Sequence, residues 1–351
     1  GKELTVFKGH QSAVNSVSFS PDGKTLALAS VGNTVRLWDT QTGKELTVFK
    51  GHQSAVNSVS FSPDGKTLAS ASGEYQSQDN TVRLWDIRNG IELKVFNGHE
   101  SVVSCVSFSP DGKTLASASW DKTVRLWSVE SGEELTVFKE HELAVLSVSF
   151  SPNGKILASA SGDKTVRLWD VQSGKELNIF KGHENGVNSV SFSPDGKNLV
   201  SASGDTLLSS DNTVRLWDVQ TGKELNVFKG HESAVLSVSF SPDGKTLASA
   251  SRDKTVRLWN RGTSLYTLFL HDSKSTDLYK TFIEGVRFLW QVELDGLEFV
   301  PTDYKRTPTL YAQDGYNYIF DPNFRPLLSP PPPGQSKFDQ VLEWAEKQQG
   351  K

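Results

Sequence analysis

The chain has 351 residues, enough for one large repeat domain or two ordinary ones, and it can bury a sizeable core. Its 37 basic and 41 acidic residues are well mixed and leave a formal charge of −4, which argues against a protein built to grip nucleic acid or an anionic membrane. The only cysteine, Cys105, excludes an intrachain disulfide, and no apolar run approaches the ~18 residues of a membrane-spanning helix.

The first residues, Gly1-Lys2-Glu3-Leu4, open inside a repeated pattern and do not read as a signal peptide, so a cytoplasmic location is expected. The stretch Gly98–Trp127 shows the repeated unit most clearly. Val102–Ser109 is β-branched and aromatic and ends in the tight turn Ser109-Pro110-Asp111-Gly112. Leu115–Ser119 makes a second strand, Asp121-Lys122 a second turn, and Thr123–Trp127 a third strand. Strands joined by such short turns form an antiparallel meander. Gly-His pairs mark the copies at residues 9–10, 51–52, 98–99, 182–183 and 230–231, with Glu140-His141 as a variant. Each copy closes on a tryptophan: Trp38, Trp85, Trp127, Trp169, Trp217 and Trp259.

The spacing between these histidines is 42 residues in three intervals and 47 and 48 in the other two. A period near ~42 with four strands per unit signals a β-propeller. The fourth strand, GKELTVF or a variant, occurs six times from Gly1–Phe7 to Gly222–Phe228, with a degenerate seventh copy from Gly262 to Phe269. Seven outer strands therefore accompany only six inner triplets.

The GH pair, the SPDG turn, the TVRLWD strand and the closing WD resemble the WD40 family over residues 1–270. The near-identity of the copies is similar to the highly repetitive WD40 proteins of bacteria, of cyanobacterial type. This resemblance implies an all-β fold, a β-propeller of four-stranded antiparallel blades whose N-terminal strand closes the last blade and so removes the open sheet edges. Seven blades are preferred, with residues 271–328 as a divergent seventh. A ring of six, which leaves the Leu265–Leu270 strand surplus, is the alternative. Within 271–328, Val286–Leu294, Asp295-Gly296 and Leu297–Val300 read as one hairpin, and Thr309–Gln313, Asp314-Gly315 and Tyr316–Phe320 as another. Residues 329–351 read as a polyproline segment and a short C-terminal helix from Ser336 to about Gln349.

Six of the seven histidines stand at one place in each repeat, without CxxC or HxxxH partners, so neither metal nor cofactor is expected. The family resemblance implies a structural network instead, linking His, a second-strand Ser, the turn Asp and the Trp. The sets are His52, Asp79 and Trp85; His99, Ser117 or Ser119, Asp121 and Trp127; His141, Asp163 and Trp169; His183, Asp211 and Trp217; and His231, Asp253 and Trp259. The first repeat has Gly32 where the Asp belongs, which predicts a looser turn.

Residues that break the repeat pattern are candidates for recognition. The turn after the second strand grows to Gly73–Gln78 in the second repeat and to Gly204–Ser210 in the fifth, and it carries Trp120 in the third and Arg252 in the sixth. Loops commonly carry recognition, and exposed aromatics and arginines are favoured anchors. Tyr75, Gln76, Trp120, Leu207, Leu208 and Arg252 are therefore the expected partner-binding residues, against the plainer reading that they pack locally. No nucleophile elbow, P-loop or paired-carboxylate signature appears, so no catalytic residue is expected. The expected function is a non-catalytic scaffold for a protein or peptide, binding neither nucleic acid nor membrane. The alternative is a ligand-sensing regulatory domain of a larger signalling protein, a kinase or sensor ATPase, working with that chain's other domains.

Overall fold

The computed structural model describes residues 5–205 and 211–260, and further on only the strands at 297–300, 309–312 and 317–319. Two compact units are separated between Asn260 and Arg261.

The first unit is six antiparallel sheets in chain order. The first sheet contains β1 (Val14–Phe19), β2 (Thr25–Ser30), β3 (Thr34–Asp39) and β4 (Glu45–Lys50), paired in that order. The next four repeat the meander, their inner strands being β5 (Val56–Phe61), β9 (Val103–Phe108), β13 (Val145–Phe150) and β17 (Val187–Phe192). The sixth shows three described strands, β21 (Val235–Phe240), β22 (Thr246–Ser251) and β23 (Val256–Asn260). The Ser-Pro-Asp-Gly turn explains the sharp first corner. Ser20 Oγ donates to Asp22 Oδ1 at 2.7 Å and accepts the Thr25 N–H at 2.9 Å, while Asp22 Oδ1 accepts the Lys24 N–H at 3.0 Å.

One interface, reproduced between successive sheets, builds the core. The first sheet offers Ala27, Ala29, Val35, Leu37 and Phe49, and the second meets it with Val56, Val59, Phe61, Leu68 and Trp85. The same sets recur between the second and third sheets and onward to the sixth. Middle strands such as Leu68–Ser72 are buried along their whole length, because a sheet packs on each face. That is why the TLASAS segments combine β propensity with small residues.

Among the described residues of this unit the series has a first and a last sheet. Inner strands pack side by side from β1 through β5, β9, β13 and β17 to β21. Val17 is 58% exposed where its counterpart Val59 is 6% exposed, and Leu258 is 73% exposed where Leu126 is 1%. Burying one such side chain contributes roughly 1.5–3 kcal/mol, so these faces forfeit packing that the inner sheets retain. The segment before β1 belongs to no described sheet, yet it holds the place of an outer strand toward the first sheet. Phe7 lies 5.6 Å from the Trp38 ring, as Phe49 lies 5.3 Å from Trp85. Thr5 sits by Gly43 as Thr47 sits by Gly90.

The second unit contains β24 (Leu297–Val300), β25 (Thr309–Ala312) and β26 (Asn317–Ile319), an antiparallel meander. β25 pairs with β26, in keeping with the second expected hairpin. β24 pairs with β25, Phe299 opposite Leu310. The expected strand Val286–Leu294, the polyproline segment and the C-terminal helix lie outside the described residues, as does the strand expected at Leu265–Leu270.

Candidate functional site

Five repeats carry one hydrogen-bonded chain. The His Nδ1 lies 2.7–3.0 Å from the Asp Oδ2 in the pairs 52/79, 99/121, 141/163, 183/211 and 231/253. The His Nε2 lies 2.7 Å from a serine Oγ, on Ser70, Ser117, Ser159, Ser201 and Ser249. That oxygen also accepts the indole N–H of Trp85, Trp127, Trp169, Trp217 and Trp259 at 2.7–2.8 Å. Between Ser117 and Ser119 the structure chooses Ser117; Ser119 Oγ instead donates to Ser101 O and accepts the Asp121 N–H.

The direction of the chain follows from its two ends. An indole nitrogen only donates and a carboxylate only accepts, so the serine oxygen accepts from the indole and its hydroxyl donates to His Nε2. The neutral imidazole then carries its proton on Nδ1 and donates to the carboxylate. The threonine that opens the third strand completes the set, its hydroxyl donating to Asp Oδ1 at 2.6 Å in Thr81, Thr123, Thr165 and Thr255, and likewise in Thr213. Sequence reasoning overlooked this threonine, although Thr stands two residues after every network Asp. The backbone N–H after each histidine, as in Gln53 at 2.6 Å, supplies a further bond to Oδ2.

These bonds set the protonation states. Burial works against the charged form of Asp79, but the bonds from His52, Thr81 and Gln53 outweigh it and hold the carboxyl well below the usual range. Asp121, Asp163 and Asp211 are held low in the same way. Burial pushes the His52 and His183 imidazoles down despite their aspartates.

A Ser–His–Asp line at these distances matches the order of groups in a hydrolytic triad. Here it has no access to a substrate: Ser70, Ser117, Ser159 and Ser201 are fully buried, and each hydroxyl oxygen is occupied by an indole. Its role is to satisfy polar groups that would each cost ~1–3 kcal/mol if buried unpaired. Among the described residues no group of three or more His, Cys, Asp or Glu is arranged to hold a metal ion. Cys105 is half-buried in β9, and burial raises its thiol pKa, away from nucleophilic chemistry.

The first repeat breaks the chain twice. Leu28 pairs opposite Val17 and Arg36, the register that Ser70 occupies opposite Val59 and Arg83. Gly32 replaces the aspartate. Both ring nitrogens of His10 and the Trp38 indole N–H are buried without a partner among the described residues. The turn is looser in one respect, as Gly32 leads one to expect: the bond that the Lys122, Lys164 and Lys254 N–H each make to a serine carbonyl at 3.2 Å has no counterpart at Asn33 among the described residues. The Gly32 N–H still bonds Ser30 Oγ at 3.1 Å, and Asn33 keeps the left-handed φ of 56° that Lys122 shows at 71°. Those features belong to the backbone and to Ser30, so the turn survives loss of the Asp.

Trp120 and Arg252 occupy one equivalent position, and the insertion with Tyr75 and Gln76 starts from it at Gly73. The backbone N–H of Val31, Gly73, Trp120, Gly162, Gly204 and Arg252 each bonds the carbonyl just before an inner strand, at 2.9–3.3 Å. All six therefore stand at the histidine end of their sheets, on the loop face, with the Ser-Pro-Asp-Gly turns at the other end. Tyr75 is 76% and Trp120 44% exposed, and Gln76 and Arg252 are exposed as well. The inserted turn is closed by the Ser77 N–H on Glu74 O at 2.9 Å. Tyr75 and Trp120 stand on adjacent sheets and Arg252 three sheets beyond Trp120. No hydrogen bond or ring contact joins the three among the described residues. Leu207 and Leu208 lie outside the described residues.

Six repeated sheets, five of them carrying this His–Ser–Asp–Trp chain, define a repeat protein of propeller-blade type. The family model for the WD domain, G-beta repeat, matches residues 1–39, 43–86, 90–128, 132–170, 174–218 and 222–260, and the chain belongs to the WD40 family. Such domains are generally non-catalytic protein-interaction scaffolds. Curated relatives include eukaryotic translation initiation factor 3 subunit I of Aspergillus niger, 46% identical over 43 residues. Ribosome assembly protein 4 of Saccharomyces cerevisiae is 45% identical over 42 residues, and serine-threonine kinase receptor-associated protein of Gallus gallus 46% over 43. Each match covers 12% of this chain and 13%, 8% and 12% of these relatives respectively, about the length of one repeat. No described helix is long and apolar enough to cross a membrane.

Proposed function

We propose that this chain is a non-catalytic scaffold that binds a protein or peptide through its loop face. The observation that carries the reading is the exposure of Tyr75 and Trp120 at turns where sister repeats place glycine or keep the turn short. Gln76, Arg252, Leu207 and Leu208 complete the proposed anchor set. The names of the relatives, a subunit, an assembly protein and a receptor-associated protein, agree with such a role. Replacing Trp120 and Arg252 with Ala, singly and together, and capturing partners on immobilised protein tests it: the bound partner should be lost at least tenfold. Undiminished capture by the double variant refutes it.

The fold we propose is a seven-bladed ring closed by the N-terminal strand, with residues 271–328 as the divergent seventh blade and 329–351 as a separate tail. Two observations support this: the outer-strand place held by Thr5 and Phe7, and the apolar side chains that the first and last sheets expose. The second unit's three-stranded meander is the element a four-stranded blade still requires. Truncation after Asn260 should then lower the thermal midpoint by several degrees, whereas a six-bladed ring would tolerate it. The near-identity of the copies supports a bacterial, cyanobacterial-type source, and a cytoplasmic setting is part of the same proposal. No cofactor, nucleic acid or membrane enters the proposed function.

A further inference from the structure

We infer that the first repeat holds a binding site for a carboxylate group, in the place that the aspartate side chain fills in the other five network repeats. In those repeats three kinds of donor converge on the Asp: His Nδ1–H, the N–H of the following residue and the threonine of the third strand. In the third repeat these are His99 at 2.7 Å, Glu100 N–H at 3.1 Å, and Thr123 with hydroxyl and N–H at 2.6 and 2.9 Å. The first repeat keeps the donors as His10, the Gln11 N–H and Thr34, and lacks only the acceptor, because residue 32 is glycine.

Three observations turn that lack into a site. The turn keeps its bond from the Gly32 N–H to Ser30 Oγ and its left-handed residue at Asn33, and Gln11 and Thr34 stand in the chain where Glu100 and Thr123 do. A Cβ built on Gly32 would meet Ser30 Oγ at 3.5 Å, Ser12 Oγ at 3.6 Å and Ser12 Cβ at 3.8 Å, ordinary contact distances, so a side chain can start from this position without a clash. His10 Nδ1 is buried and unpartnered, a standing cost that an acceptor would remove. On the other side of the ring Leu28 offers His10 Nε2 no partner, so only the Nδ1 side can recruit one. Gly32 and Val31 are exposed on the loop face, which leaves the place open to solvent.

The ligand is therefore a carboxylate with two acceptor oxygens, bound by hydrogen bonds from a neutral imidazole, an amide and a hydroxyl. It can be a small free anion or the acidic side chain of a peptide held on the loop face. The second source rests on the proposed scaffold function, and the first does not. The intact chain is titrated with sodium formate against sodium chloride at equal ionic strength, following thermal unfolding and the His10 ring nitrogen resonances. We expect a saturable rise in Tm with formate and a shift of the His10 Nδ1 signal. Both should be absent in Gly32→Asp, which should itself melt higher than the parent. Equal melting in formate and chloride with an unmoved His10 signal overturns the site, whatever the behaviour of the variant. Capped Gly-Asp-Gly should shift His10 where capped Gly-Asn-Gly does not; a response to formate alone supports the site and overturns its use in peptide capture. Trp120→Ala should leave the formate response intact, which separates failure of this site from failure of the loop-face reading.

Discussion

Ser159→Ala isolates the physical role of the buried chain. Ser159 is fully buried in the fourth sheet, between two neighbours, and its Oγ meets His141 Nε2 at 2.7 Å and the Trp169 indole N–H at 2.8 Å. The substitution removes one oxygen and leaves two buried polar atoms without partners. At ~1–3 kcal/mol for each orphan, the expected loss is about 2–6 kcal/mol, far above the cost of the missing atom's packing. The urea midpoint at constant slope reads this loss. A cycle with Trp169→Phe makes the test specific. With the indole donor already absent, Ser159→Ala should cost ~1–3 kcal/mol less than in the parent. A loss below ~0.5 kcal/mol, or an identical loss in both backgrounds, would refute the account of the serine as the shared partner.

Stability should also follow pH with a defined sign. His52 and His183 have folded pKa values below their ordinary 6.5, so the unfolded chain binds the extra protons first. Stability is then level above pH 6.5 and falls as the pH drops through it; a second loss follows below ~4, where unfolded aspartates protonate before Asp79, Asp121, Asp163 and Asp211 do. Urea midpoints that rise between pH 7 and 5 would contradict this. At the turn glycines, a Cβ on Gly73 would lie 2.7 Å from Val102 Cα and one on Gly204 2.5 Å from Ala234 Cα, both backbone atoms. Gly73→Ala and Gly204→Ala should each cost about 1–3 kcal/mol or more, as overpacking does. Gly162→Ala, at the equivalent position with its nearest neighbour at 3.6 Å, should melt like the parent.

Much of this molecule is legible in its sequence because the repeat is a physical unit. The GH, SPDG and TVRLWD segments, copied with little change, determine strand, turn and strand in each sheet, and the period of about ~42 residues signals blades. The Asp, His and Trp of the buried chain could be named through the family resemblance, which their recurrent positions carry. Their threonine partner could not, since a Thr opening a β-strand looks like ordinary β propensity. Nor could the choice of Ser117 over Ser119: two residues apart, they lie on the same face of the strand, and its register against the Trp127 strand decides which one the indole reaches. Leu28 shows the same limit. The copies show it in place of a serine, TLALAS against TLASAS, but its register opposite Val17 and Arg36 shows that the missing serine is the one the network needs. The sequence by itself determined the units and most of their polar chemistry, because those are local. Only the fold shows that, among the described residues, the outer sheets expose apolar side chains that the inner sheets bury, and that both ring nitrogens of His10 are buried without a partner. Both are relations between residues far apart in the chain, and no local pattern encodes them.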